Sequence, residues 1–159
     1  MMQTVFLILL IQLAVAVYDH RPGERYQTML PNLKSEQQAQ LKRIIYDQTQ
    51  TKGQVFENVK KWISNQPPNV QYQFIRAQID FKQKDDARNL ALNAVEKMVS
   101  QEARAFNQHI RGIYDDQFIT DRQTCEAVSN AISSTTDAIR QELNIAPMNC
   151  ARVFETLAH

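Results

Sequence analysis

Two stretches of the chain follow nearly the same pattern, and this repeat constrains the fold more than any other feature of the sequence. Residues 44–63 and 113–132 align without a gap and are identical at eight of the twenty positions. The identical pairs are Ile44/Ile113, Asp47/Asp116, Gln48/Gln117, Thr51/Thr120, Gln54/Gln123, Glu57/Glu126, Val59/Val128 and Ile63/Ile132. Self-similarity at a fixed spacing indicates that one supersecondary unit occurs twice.

The repeated unit is predicted to be a helical hairpin. Thr51 with Gln54, and Thr120 with Gln123, have the spacing of a capping box, in which side chain and backbone bond each other where a helix begins. Apolar residues follow at helical spacing, and the chain contains only 3 glycines. The fold class is therefore predicted to be all-α: a compact bundle of about six helices built from a duplicated helix-turn-helix, with a pseudo-two-fold axis.

Capping residues and polar runs predict further helix boundaries. Ser35, with Gln38 three residues later, is a predicted N-cap. Asn69 can cap the helix that follows the first repeat copy. The polar run at 82–86 predicts a hinge between that helix and the next.

A predicted break in the second copy affects the two cysteines. Pro67 and Pro68 end the first copy, because proline disfavours a helical conformation in the residue before it. The alignment places Thr136 and Asp137 opposite these prolines, so the second copy should also break near the run at 133–137. Such a break brings the chain back towards Cys125 and permits a disulfide with Cys150, and the alternative is two free, buried thiols.

The first residues are predicted to be a secretory signal peptide. Residues 5–17 form an apolar run that is too short for a membrane span, and small residues precede a cleavage site after Ala16. The protein is therefore predicted to be secreted and extracellular, without a membrane span. The predicted segments are a signal peptide at 1–16, an irregular leader at 17–34, a helical domain at 35–145 and a C-terminal tail, which can be helical, at 146–159.

Charge and motif content argue against two classes of function. The chain has 18 Lys and Arg against 17 Asp and Glu, without the basic cluster that nucleic-acid binding needs. His20, His109 and His159 are scattered, and no nucleophile or phosphate-binding motif occurs. The sequence therefore predicts a non-catalytic protein that does not bind nucleic acid.

The acidic residues of the repeat are candidate metal ligands. Asp47 and Glu57, and Asp116 and Glu126, are equally spaced in two helix–loop–helix units, and carboxylate oxygens suit Ca²⁺ and Mg²⁺. The spacing differs from an EF-hand, because Gly53 and Glu57 fall one position away from the places that its loop requires. The alternative is that the aspartates shape the turns and the glutamates are solvated.

An apolar surplus on the helix after Pro68 suggests a second candidate site. Phe74 and Phe81 lie on one face, while Tyr72, Ile75 and Ile79 lie on another. The helix is therefore predicted to be buried on two sides or to line a cavity that holds a small lipid. The alternative is an ordinary central helix.

The sequence resembles the SXP/RAL family of secreted nematode proteins, which carry the anisakid-allergen-type cation-binding domain. A signal peptide, the T-x2-Q hairpin and Trp62 late in its second helix carry the resemblance, which extends from about Ser35 to Leu143. The best local match comprises Thr120, Gln123, Ile132, Ile139, Arg140, Glu142 and Leu143.

The resemblance implies an all-helical, antigenic protein of the host–parasite interface without enzyme activity. It implies that no cofactor is required and that the protein binds Ca²⁺ or Mg²⁺. We assign the cation ligands to the acidic residues that the repeat marks: Asp47, Glu57, Asp116 and Glu126. Host proteins or immunoglobulins are the implied partners. A fatty-acid carrier and an interaction module without a small ligand are the alternatives.

Overall fold

The computed structural model describes residues 23–155. The predicted signal peptide at 1–16, the first residues of the leader and the last residues of the tail lie outside this range. Within it, no helix is both long and apolar enough to cross a bilayer.

Helices make up most of the described chain, which confirms the predicted all-α class. Between 23 and 155, β-structure is confined to one isolated bridge that joins Thr51 and Thr120. A 3₁₀ turn covers Leu30–Asn32. The α-helices are α1 (Glu24–Gln27), α2 (Ser35–Ile45), α3 (Lys52–Ser64), α4 (Pro68–Glu96), α5 (Gln101–Asp115), α6 (Asp121–Ser134), α7 (Asp137–Leu143) and α8 (Cys150–Glu155).

Hydrogen bonds between side chains and backbone N–H groups fix the first residues of α2 and α3. The cap of α2 is Lys34, whose backbone N–H donates to Oε1 of Gln37 at 3.1 Å. Ser35 is therefore the first helical residue, and its prediction as the N-cap is wrong. At α3 the predicted capping box is confirmed: the Gln54 N–H donates to Oγ1 of Thr51 at 3.2 Å, and the Thr51 N–H donates to Oε1 of Gln54 at 2.9 Å.

The predicted hinge at 82–86 is wrong, because α4 continues unbroken through it. The run is polar, but it contains neither Gly nor Pro, and its Lys and Gln residues favour helix. The start of α4 also differs from the prediction, since the helix begins at Pro68 and not after a cap at Asn69. Proline suits the first helical position, where a backbone N–H would have no intrahelical partner.

The described residues divide into two compact units, and the boundary in α4 falls within the predicted hinge. Residues 23–85 and 117–121 form the N-terminal unit, and residues 86–116 and 122–155 form the C-terminal unit. The polar run therefore marks a change of core without ending the helix.

The core of the N-terminal unit includes side chains from the predicted leader. The ring of Tyr26 stacks on Phe74 with 6.4 Å between centroids, and burial raises the pKa of Tyr26 to about 12. Helix α3 contributes the apolar stripe that the sequence predicted, and α2 contributes the buried Leu41 and Ile45. The buried residues are Tyr26, Met29, Leu33, Leu41, Ile45, Val59, Ile63, Val70 and Ala77.

In the C-terminal unit, the predicted break between α6 and α7 is confirmed. Thr136 caps α7, and Nη1 of Arg140 donates to the carbonyl oxygens of Ile132, Ser133 and Thr135. One guanidinium thus satisfies carbonyls at the end of α6 that have no further helical partner.

The predicted disulfide between Cys125 and Cys150 is confirmed, with 5.8 Å between the Cα atoms. It links α6 to α8, where the buried ring of Phe154 lies 5.3 Å from the guanidinium carbon of Arg122. The buried cluster of this unit comprises Ala103, Ile110, Val128, Ile132, Leu143 and Ile145. The covalent bond therefore attaches the last described helix to this unit.

A polar cluster joins α4 to α5 in the same unit. Asn107 is 2% exposed, and its Nδ2 donates to Oε1 of Glu96 at 2.7 Å. Arg111 donates to the same oxygen at 3.1 Å and also bonds Asn89 and Asn93. The Glu96 carboxylate therefore satisfies a buried amide and a guanidinium together.

Replacing this carboxylate should destabilise the protein. Glu96→Ala leaves the Asn107 amide without this acceptor, and we expect a loss of about 1–3 kcal/mol in the free energy of unfolding. Glu96→Gln is the matched control, because it keeps an oxygen acceptor and should lose less than half as much. Urea unfolding followed by circular dichroism measures both, and equal losses would contradict this role.

Candidate functional site: the paired loops of the repeat

The loop of the first repeat copy, residues 46–51, is closed by hydrogen bonds to Asp47. One carboxylate oxygen, Oδ1, accepts from the backbone N–H of Thr49 at 2.9 Å and from its hydroxyl at 2.6 Å. The other oxygen, Oδ2, accepts from Nε2 of Gln50 at 2.8 Å. The hydrogen bonds from Thr49, side chain first and then backbone, hold the pKa of Asp47 below its usual value, so the carboxylate is ionised at neutral pH.

The amide of Gln50 extends this closure into helix α3. Its Oε1 accepts from Nδ2 of Asn58 at 2.7 Å. A chain of side-chain hydrogen bonds therefore runs from Asp47, at the start of the loop, through Gln50 to the second turn of the following helix. Neither amide residue is a predicted site residue.

The two repeat loops contact each other through their backbones. Thr51 and Thr120, which occupy equivalent repeat positions, form an antiparallel bridge. Beside it, the Lys52 N–H donates to the carbonyl oxygen of Ile119 and the Gly53 N–H donates to that of Gln117, both at 3.0 Å.

This approach favours glycine at the second residue of α3. A Cβ at Gly53 would lie 3.1 Å from the carbonyl oxygen of Gln117, which is tighter than an ordinary van der Waals contact. The equivalent residue of the second copy is Arg122, so the two copies are not interchangeable at the bridge.

The first predicted glutamate ligand lies away from the loop closure. Glu57 is on the exposed side of α3, where both of its carboxylate oxygens lie 3.1 Å from Nζ of Lys60. Its side chain is 65% exposed. In this arrangement Glu57 forms an ion pair within its helix and no hydrogen bond to Asp47 is among its contacts.

The second pair of predicted ligands lies in the C-terminal unit. Asp116 follows the last residue of α5, and its backbone N–H donates to the carbonyl oxygen of Gly112 at 3.1 Å. Glu126 is exposed on α6. Throughout residues 23–155, no group of three or more His, Cys, Asp or Glu side chains is arranged to hold a metal ion.

The predicted second face of α4 is exposed to solvent. Tyr72, Ile75 and Ile79 are 61%, 55% and 52% exposed, so the prediction that α4 is buried on two sides is wrong. The opposite face is occupied by the protein itself, since Phe74 stacks on Tyr26 and Phe81 lies under the guanidinium of Arg25.

A comparison with protein families identifies the class of the chain. The model of the SXP/RAL-2 family protein Ani s 5-like, metal-binding domain matches residues 1–148. The chain belongs to the SXP/RAL-2 family. The resemblance predicted from the sequence is thus confirmed, and no curated protein and no solved structure matches the chain.

The metal-binding description of the family can be tested against the residues of the first loop. A Ca²⁺ ion in a protein is held by six to eight oxygens. Here both oxygens of Asp47 already accept hydrogen bonds from the protein, and the amide oxygen of Gln50 accepts from Asn58. The described loop does not fit a preformed, high-affinity cation cage. A single ionised carboxylate fits only weak association.

Proposed function

We propose that this SXP/RAL-2 protein is a secreted, non-catalytic nematode antigen that acts at the host–parasite interface and associates weakly with Ca²⁺ or Mg²⁺. The family description supports the cation, and the signal-peptide pattern at 1–16 supports secretion. The observation that carries the cation part of the proposal is the Asp47 carboxylate, which Thr49 and Gln50 hold at the start of the first loop.

Weak affinity follows from the contacts of this carboxylate. A cation that approaches Asp47 must compete with the amide of Gln50 and the donors of Thr49. Glu57 would have to leave Lys60 to join it. Among the four candidate ligands Asp47 is the strongest, with Glu57, Asp116 and Glu126 as the further candidates.

Calorimetric titration of the mature chain, residues 17–159, tests the proposal after treatment with a chelator. We expect Ca²⁺ and Mg²⁺ to bind with dissociation constants of about a millimolar, as in weak extracellular sites. Asp47→Asn should abolish the heat, because it removes the charge that attracts the cation. Glu36→Gln removes a charge at an exposed position of α2 outside the candidate ligands; it is the control and should leave the heat unchanged.

Two results would contradict this assignment. Heat that survives Asp47→Asn would place the cation elsewhere in the chain. The absence of binding heat up to about 10 mM cation, well beyond the range of weak extracellular sites, would remove cation association from the proposed function.

The exposed apolar face of α4 favours engagement of a host protein as a second candidate function. Tyr72, Ile75 and Ile79 lie three and four residues apart, so they share one side of the helix, and each is more than half exposed. This face lines no interior, which weakens the fatty-acid carrier alternative. Displacement of a fluorescent fatty acid by the mature chain would restore that alternative.

A further inference from the structure

The hydrogen bonds around Gln50 perform a task that a cation performs in metal-loaded loops. A cation draws oxygen ligands from the start of a loop and from the helix that follows it towards one centre. In this chain the same two regions are joined by an amide: Nε2 of Gln50 donates to Asp47 at 2.8 Å, and Oε1 of Gln50 accepts from Asn58 at 2.7 Å.

The chemistry of the amide makes this substitution possible. A carboxylate at a loop start needs a partially positive partner, and an amide N–H supplies one without a metal. Asn58 carries an N–H group, which donates to the amide oxygen of Gln50. An ionised glutamate at the same position would present only acceptor oxygens, and these would require a cation in place of the amide oxygen. In the chain of hydrogen bonds from Asp47 through Gln50 to Asn58, each donor therefore faces an acceptor.

We propose that Gln50 is a built-in replacement for the cation in the first loop, so that the N-terminal unit folds and pairs its loops independently of divalent cations. The proposal deepens the proposed function and rests on it only in taking Asp47 as the point at which a cation would arrive. Gln50 then sets how tightly this loop binds a cation, because its N–H group competes with the cation for the Asp47 carboxylate.

The second repeat copy lacks these residues. Ile119 and Ala127 occupy the positions equivalent to Gln50 and Asn58, and Phe118 replaces Thr49. Phe118 is 89% exposed, and its side chain has no hydroxyl to donate as that of Thr49 does. The amide network therefore belongs to the first copy, and the backbone bonds of Lys52 and Gly53 hold the second loop against it.

The test is a change of one amide to a carboxylate. Gln50→Glu places a second negative charge beside Asp47 and removes the N–H donor. In chelator, we expect the melting temperature of residues 17–159 to fall by about 3–8 °C, as the loss of a hydrogen bond to a charged group predicts. Ca²⁺ should restore the lost stability, and calorimetry should show at least tenfold tighter binding than in the unchanged chain.

Two variants separate this effect from general damage. Gln83→Glu adds the same charge at an exposed position of the N-terminal unit, and it should match the unchanged chain in melting temperature and in its response to Ca²⁺. Gln50→Leu removes the amide without adding charge. It should lose stability in chelator without recovering it in Ca²⁺.

Three outcomes would overturn the proposal. The first is a fall of more than about 3 °C in the melting temperature of the unchanged chain when chelator replaces millimolar Ca²⁺, because weak binding alone stabilises by only a few tenths of a kcal/mol and the loop would then depend on a cation. The second is a Gln50→Glu variant that gains no affinity for Ca²⁺. The third is a Gln50→Leu variant as stable as the unchanged chain.

Failure of the proposed function looks different from failure of this inference. If the unchanged chain binds no cation but Gln50→Glu acquires Ca²⁺-dependent stability, weak cation association is lost and the inference stands. If the unchanged chain binds Ca²⁺ through Asp47 and Gln50→Glu binds no more tightly, the proposed function stands and the inference fails.

Discussion

Replacing Cys125 and Cys150 with serine should lower the free energy of unfolding by about 3–4 kcal/mol. The disulfide closes a segment with a sequence separation of 25 residues, and the chain-entropy model gives this magnitude for a loop of that length. Helix α8 has only six residues, too few to be stable as an isolated helix in water. Without the bond, its attachment depends on the buried Phe154 and a few polar contacts.

Urea unfolding of the oxidised chain, the reduced chain and the double serine variant measures this effect. The reduced chain and the variant should agree with each other, and the variant should not respond to reductant. The bond between Oγ of Ser129 and the carbonyl oxygen of Met148, 3.0 Å long, remains in all three proteins. A loss below about 1 kcal/mol would show that the folded contacts hold α8 without the disulfide.

Ile132→Ala should destabilise the protein by about 2–5 kcal/mol. Ile132 is fully buried in the C-terminal unit, in the cluster that α5, α6 and α7 share. Truncation removes apolar area and leaves a cavity, and both effects lower stability. Its carbonyl oxygen also accepts from Arg140, and this backbone contact is unchanged by the substitution.

Ile75→Ala is the matched control for this prediction. The same atoms are removed from a side chain that is 55% exposed, so stability should change by about 0.5 kcal/mol or less. Both variants are measured by chemical unfolding at a fixed temperature. A comparable loss at the two positions would contradict the assignment of Ile132 to the core.

The helix boundaries that local residues determine could be predicted from the sequence. The capping box of Thr51 and Gln54 is a short-range pattern that the fold does not alter. The break before α7 followed from the repeat, because its position was transferred from the two prolines. The disulfide followed from that break. In each case neighbouring residues or the internal alignment carried the information.

The prediction of a hinge at 82–86 was wrong because polarity does not break a helix. The polar side chains of residues 82–86 can contact water from the surface of a continuous helix, so no turn is needed there. The run also contains no Gly or Pro that would end the helix. The second face of α4 was misjudged for a related reason. Tyr72, Ile75 and Ile79 are apolar, but apolar side chains are common on protein surfaces, and periodicity alone does not show which face is covered.

The closure of the first loop could be predicted only in part. Asp47 was marked by the repeat, and its alternative role in shaping the turn agrees with its bonds to Thr49. Gln50 and Asn58 were not marked, because the second copy has apolar residues at those positions. Their hydrogen bond spans eight residues and depends on side-chain conformations, which no local pattern encodes.

The most direct test of the account is nuclear magnetic resonance of the ¹⁵N-labelled chain, residues 17–159, in excess chelator. We predict that the side-chain amide protons of Gln50 and the backbone amide protons of Lys52 and Gly53 exchange slowly with water, and that millimolar Ca²⁺ leaves their protection unchanged. Rapid exchange in chelator, with protection only after Ca²⁺ is added, would show that the cation closes the loop and would contradict the account.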